Sequence, residues 1–196
     1  MTTVVIGGHS RNVGKTSVMA GLIYAFRKHS WTAIKISSHW HAGSHPSEDE
    51  GKGRIYSIHE ETSREGHSDT SRFLAAGASR SLWVRVRKNG LAAAMDQLRP
   101  ILQSSPFVII ESNSILGFIK PDIYIVVLRY DVEDFKDSAR ETLKQAHAVV
   151  ALNCSPSTPS WKGMAAETLS RIPIFTTNDL LVIPKDLIEW VGARLI

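Results

Sequence analysis

Hydrophobic positions along the chain follow two alternating periods. Short runs rich in Val and Ile recur at residues 2–7, 32–36, 82–86, 107–111, 123–128, 148–153 and 173–176. Their β-branched content reads as strands. Between them lie stretches whose apolar residues return every three or four positions, at 15–29, 70–77, 90–103, 137–146, 163–171 and 186–195. That is the spacing of one buried helix face. Val18, Met19, Leu22, Ile23 and Phe26 draw such a stripe on the first helix. Val108-Ile109-Ile110, the run from Ile123 to Leu128 and the run from Val149 to Leu152 are apolar at every position. Strands of that kind are buried on both faces, which puts helices above and below a parallel sheet. The pattern therefore predicts an α/β fold: a three-layer, doubly wound, mostly parallel sheet of about seven strands, forming one domain over 1–196. In such a sheet ligands bind beyond the carboxyl ends of the strands, and functional residues are sought there.

One segment breaks the rhythm. Residues 37–69 are polar, with many Ser, His, Gly and Glu and little periodicity. A loop of ~30 residues inside a compact domain is uncommon unless it is a functional switch or lid, or is partly disordered. Composition otherwise adds little: 43% hydrophobic and 21% charged residues are ordinary for a globular protein. The formal charge of +4 comes from 23 basic and 19 acidic residues. The basic residues are scattered, which suits a small anionic ligand and argues against a nucleic-acid partner. No apolar run reaches the ~18 residues of a membrane-spanning helix, so no membrane partner is expected. The single cysteine, Cys154, allows no internal disulfide and matches a reducing compartment. With no secretory pattern at the N-terminus, the expected location is the cytoplasm.

Candidate chemistry begins at the first strand. Thr2-Thr3-Val4-Val5-Ile6-Gly7-Gly8 runs into His9-Ser10-Arg11-Asn12-Val13-Gly14-Lys15-Thr16-Ser17, where the helical pattern starts. A glycine-bearing loop between a strand and a helix N-terminus is built to bind phosphate. Gly8, Asn12, Val13, Gly14, Lys15, Thr16 and Ser17 are the candidate nucleotide-binding residues. Lys15, expected to be exposed in the empty loop, can reach the β- and γ-phosphates, and the Thr16 hydroxyl can ligate Mg²⁺. The usual spacing puts a glycine five residues before the Gly-Lys-Thr glycine. Here that place is His9, and the loop reads Gly-x5-Gly-Lys-Thr.

The longer loop resembles that of dethiobiotin synthetases, which also carry Gly-x5-Gly-Lys-Thr with Val before the second glycine. Those enzymes share a P-loop class with the MinD/ParA ATPases and with the MobB-type accessory proteins of molybdopterin-guanine dinucleotide biosynthesis. After the second strand come Lys35, His39 and His41, with His45 beyond. Lys35 ends a strand where a cation can meet an anionic ligand. The histidines read more readily as a polar ligand-contacting loop than as a metal site. MobB-type proteins have a Lys-His-rich segment at this place, followed by a motif similar to Asp69-Thr70-Ser71-Arg72-Phe73-Leu74-Ala75-Ala76-Gly77-Ala78. Asp69 is suited to cap the helix that carries Arg72. Arg72 would face the switch segment, and Lys35, His39, His41 and Arg72 are the candidate residues for a second ligand.

Glu111 ends the strand Phe107-Val108-Ile109-Ile110. A buried acid there needs a cation or donors, and in P-loop proteins it orients Mg²⁺. Thr16 and Glu111 are the candidate metal pair, and Lys15 and Glu111 the candidate catalytic pair. Both resembling families have Val-Glu-Gly here; Ser112 replaces that glycine. Asn153 follows the strand Val149-Val150-Ala151-Leu152, where a side-chain amide can read a purine edge, as the resemblance to dethiobiotin synthetases implies for adenine. Cys154-Ser155-Pro156 breaks the guanine-reading Asn-Lys-x-Asp pattern, which leans the nucleotide toward ATP, with GTP possible. Thr176-Thr177-Asn178-Asp179 can complete the base pocket.

The resemblance implies a nucleoside triphosphate with Mg²⁺, slow hydrolysis or energy transfer, and a molybdopterin-linked second ligand. Two other readings stand beside it. One is an ATP-dependent ligase or kinase of the dethiobiotin synthetase kind. The other is a nucleotide-gated homodimer of the MinD kind, against which stand Arg11-Asn12, where that type has Gly-Gly, and Ser10, where it has its signature lysine.

Overall fold

The computed structural model describes residues 1–38, 54–154, 161, 169, 171–179 and 182–195. Eight strands form one sheet in the order β3-β4-β2-β5-β1-β6-β7-β8. They are β1 (Thr2–Gly8), β2 (Trp31–Ser37), β3 (Tyr56–Glu60), β4 (Arg80–Val86), β5 (Phe107–Glu111), β6 (Ile123–Arg129), β7 (Ala148–Leu152) and β8 (Ile174–Thr177). Every pairing is parallel except that of β3 with β4. The α-helices that lie within the described residues are α1 (Lys15–Ala25), α2 (Asp69–Ala75), α3 (Gly90–Ser104), α4 (Asp137–Leu143) and α5 (Lys185–Gly192). The expected helix over 163–171 falls almost wholly outside the described residues.

Neighbouring residues of the central strands go to opposite sides. Val5, Val108, Ile110 and Val126 join Met95 and Leu98 of α3 in one core. Val4, Ile6, Ile109, Ile125 and Val127 join Met19, Leu22 and Ile23 of α1 in the other. This is why those strands are apolar at every position: the pleat points alternate side chains to opposite faces, and both faces are covered.

Two expectations need correction. The sheet has eight strands where about seven were read. The additional one, β3, lies inside the polar segment 37–69. Tyr56 and Ile58 pack on the first core while Ser57 and His59 alternate with them. Such a short edge strand buries only every second residue, so its apolar signal is two side chains. It pairs in register Tyr56↔Val86 and Ile58↔Val84. The cap of α2 is Ser68, whose Oγ accepts the Ser71 N–H at 3.0 Å, and Asp69 is the first helical residue. An acid there still complements the helix dipole.

No helix among the described residues is long and apolar enough to cross a membrane.

Candidate functional site

The carboxyl ends of β1, β5, β2, β6 and β7 converge on the loop between Gly8 and Lys15. Asn12 and Gly14 take left-handed backbone conformations, with φ of 55° and 101°, which Gly adopts freely and Asn more readily than most. A Cβ on Gly8 would lie 2.9 Å from Lys15 Cδ and Cγ and from Val13 Cγ2. The lysine stem therefore lies directly over this glycine.

His9, in the place where a glycine is usual, turns away from the loop interior. It is fully buried, with its ring 5.0 Å from Phe135 and 5.4 Å from Trp161 between centroids. Its Nε2 lies 3.3 Å from the Val132 carbonyl and so carries the proton, while Nδ1 has no hydrogen-bond partner. Burial holds its pKa below the ordinary histidine value, against the Val132 and Val127 backbone hydrogen bonds that raise it. The segment 131–136 braces the loop from behind. The Ser10 hydroxyl donates to Asp134, and the Lys136 N–H donates to the His9 carbonyl at 2.9 Å. From the other side Asn113 clamps Gly8, accepting its N–H at 3.0 Å and donating Nδ2 to its carbonyl at 2.9 Å.

Lys15 is half-buried, contrary to the exposed side chain expected, because its Nζ folds back and donates to the Ser10 carbonyl at 2.7 Å. Burial pushes its pKa down; Glu111 opposes that shift, and Lys136 and Lys35 add to it. A lysine placed this way is destabilised without an anion and gains from one.

The Thr16 hydroxyl donates to Glu111 Oε2 at 2.8 Å, joining the start of α1 to the end of β5. Glu111 is 6% exposed. These are two hard oxygen donors side by side, the kind Mg²⁺ takes. Among the described residues no group of three or more His, Cys, Asp or Glu could hold a metal. The donor set thus suits a cation that keeps waters and phosphate oxygens as its other ligands.

Lys35 forms an ion pair with Asp69 and lies 3.7 Å from Glu111 Oε1. Asp69 also meets Arg72 Nη1 at 3.5 Å, and Arg72 Nη2 donates to the Ser17 hydroxyl at 3.1 Å. Arg72 therefore turns to the first turn of α1. Lys35 and Arg72 are brought together around Asp69; His39, His41 and His45 lie outside the described residues.

At the other end of the loop, Asn153 has φ of 53° and donates Nδ2 to Asp131 Oδ2 at 3.0 Å. Arg129 grips the same carboxylate through Nε at 2.9 Å and Nη2 at 3.0 Å. Those hydrogen bonds from Arg129, with a smaller one from Asn153, hold Asp131 below the usual carboxylate range. Arg129 Nη1 reaches the Asn12 carbonyl at 3.5 Å. Beside Asn153 a cleft of about 330 Å³ is lined by Cys154, Thr176, Thr177 and Asn178. Burial raises the Cys154 thiol pKa. The sequence reading named neither Asn113, Arg129, Asp131 nor Asp134. The strand-end rule that found Glu111 applies equally to Arg129, which closes β6.

No protein-family model matches the chain, and no curated protein matches it in sequence. Among solved structures it is similar to HypB from Helicobacter pylori in complex with nickel, at 14% identity over 99% of this chain and 87% of that one, with a TM-score of 0.51. That likeness shows a shared fold, a mostly parallel α/β sheet. It is also similar to a MobB homologue from Bacillus stearothermophilus, at 15% identity over 100% and 98% of the two chains, with a TM-score of 0.46. At these identities the likeness extends to the fold. The segment from Gly8 to Lys15 joins the carboxyl end of β1 to α1, and Glu111 ends β5, the neighbouring strand.

Proposed function

We propose that this protein binds Mg²⁺ and a nucleoside triphosphate, ATP in preference to GTP, and hydrolyses it slowly while acting on a second small ligand. The observation that carries the reading is the 2.8 Å contact between the Thr16 hydroxyl and the buried Glu111 carboxylate, set beside Lys15. The loop N–H groups from Asn12 to Ser17 and the α1 N-terminus cradle phosphate, and Lys15 exchanges the Ser10 carbonyl for phosphate oxygens. Bound Mg²⁺ supplies charge neutralisation between the phosphates. Thr16 and Glu111 are the residues that hold it. In hydrolysis a water oxygen bonds to the γ-phosphorus while the bond to the β–γ bridging oxygen breaks, giving the diphosphate and inorganic phosphate.

Asn153 reads the base. Its amide nitrogen is committed to Asp131, which leaves Oδ1 as an acceptor for an exocyclic amine such as that of adenine. The motif from Asp69 to Ala78, similar to that of MobB-type proteins, supports a molybdopterin-linked second ligand held near Lys35 and Arg72. Because Lys35 is already paired with Asp69 and close to Glu111, its charge is balanced within the chain. That weakens its reading as the acceptor clamp of a ligase.

The test is thermal stabilisation by Mg-ATP of the wild type and of Lys15→Ala. Stabilisation of the wild type alone is expected. Equal stabilisation of both proteins refutes the phosphate-loop assignment.

A further inference from the structure

A cavity of about 520 Å³ opens at the amino-terminal ends of β6 and β7, away from the phosphate loop. It has a topological cause. β5 and β6 flank β1 in the sheet, so the chain must cross from the carboxyl end of β5 to the amino end of β6. Parallel strands are usually joined by a crossover long enough to lay a helix on the sheet. Here residues 112–122 supply only a single 3-10 turn, Ser114–Gly117. The cavity opens beside this turn.

The lining divides by chemistry. Leu116 and Phe118, which pack on the first core, make the wall, and Tyr124 is buried in that core beneath them. Lys120, Gln145 and His147 are polar members of the lining, and all three offer donors. The histidine tautomer is set: Nδ1 accepts the Tyr124 backbone N–H at 3.0 Å, so the ring proton sits on Nε2. Burial first, then Lys120 and Arg194, holds His147 below its ordinary pKa, against Asp122, so the ring is a neutral donor near neutral pH. Among the described residues no carboxylate lines the cavity. Asp122, the acid at the end of the crossover, is taken up by the Thr3 N–H at 2.7 Å.

A volume of this size falls in the range of small-molecule sites, and an apolar floor with a few convergent polar groups is their usual build. We propose that the cavity binds a small carboxylate with an apolar or aromatic body. Lys120, Gln145 and His147 take the anion; Leu116, Phe118 and Ile119 take the body. The site is separate from the nucleotide site, and the inference stands whether or not the chain binds ATP.

The test uses the full chain, ¹⁵N-labelled and without nucleotide, titrated with three probes of one shape: phenylacetate, phenylacetamide and 2-phenylethylamine. Phenylacetate is expected to shift the amides of Leu116, Phe118, Lys120 and His147 saturably, up to about fivefold more tightly than the neutral amide. The amine should bind most weakly. Lys120→Gln, at an exposed position, should remove most of the advantage of acid over amide while leaving the rest of the spectrum in place. The proposal is overturned if no saturable shift appears at these residues up to ~10 mM, if acid binds no more tightly than amide or amine, or if Lys120→Gln leaves the acid's advantage intact.

Discussion

Glu111→Gln separates two roles of one carboxylate. The amide keeps the size and still offers an oxygen to the Thr16 hydroxyl, now at 2.8 Å. What it removes is the charge that Lys35 Nζ meets at 3.7 Å. A unit pair at that distance interacts by about 4–5 kcal/mol at an effective dielectric near 20. Burying the carboxylate at 6% exposure costs several kcal/mol in lost hydration, which offsets that attraction. Lys35 also keeps Asp69 as a partner. The net change in folding stability should therefore stay within ~2 kcal/mol, or about 4–8 °C in melting temperature for a chain of this length. Turnover is different. On the proposed function, the Glu111 charge would hold the metal shell where the transferring phosphoryl group needs it, and its loss should slow hydrolysis about 10²- to 10³-fold. Nucleotide affinity, carried by the loop N–H groups and Lys15, should change less than about tenfold. The assay is single-turnover ATP hydrolysis with protein in excess, run beside Mg-ATP titrations of both proteins. An unchanged single-turnover rate, or a loss of affinity as large as the loss of rate, would refute this division of roles.

Lys15→Ala should abolish Mg-ATP stabilisation without lowering the melting temperature of the nucleotide-free protein, because the burial that depresses the Lys15 pKa also penalises its charge; calorimetry with and without Mg-ATP checks both halves. His9 has a folded-state pKa below the ordinary value, so below about pH 6.5 the unfolded chain binds the proton that the folded chain does not. Stability should fall there as pH drops, by at most about 1.4 kcal/mol per pH unit from this residue, and His9→Phe should flatten the slope; identical urea-unfolding slopes in the two proteins would remove His9 as the cause. ATP should bind roughly five- to hundredfold more tightly than GTP, since guanine's edge carries two donor groups, N1–H and the exocyclic amine, and Asn153 Oδ1 is a single acceptor that leaves one of them unpaired; parallel titrations under the same Mg²⁺ and salt decide it, and GTP binding as tight as ATP would overturn the base reading.

The layered α/β architecture was legible in the strands from Val108 to Ile110, Ile123 to Leu128 and Val149 to Leu152, because continuous apolarity has one structural meaning when helical periods flank it. The strand–loop–helix setting of Gly14, Lys15 and Thr16 was legible because it rests on neighbours in sequence: a strand end, a turn and a helix start. The same locality let strand ends point to Glu111 and Asn153. The sequence did not reveal β3, since an edge strand buries one face and Tyr56 and Ile58 are a two-residue signal. Only the tertiary structure decided what depends on distant segments meeting. Sequence separation hides the Asn113 clamp on Gly8, the grip of Arg129 and Asn153 on Asp131, and the turn of Arg72 toward Ser17. His9 makes the same point most sharply. Local pattern marks it as a departure from the usual glycine, and only the pocket built by Phe135 and Trp161, well over a hundred residues further along the chain, turns that departure into a buried brace for the loop.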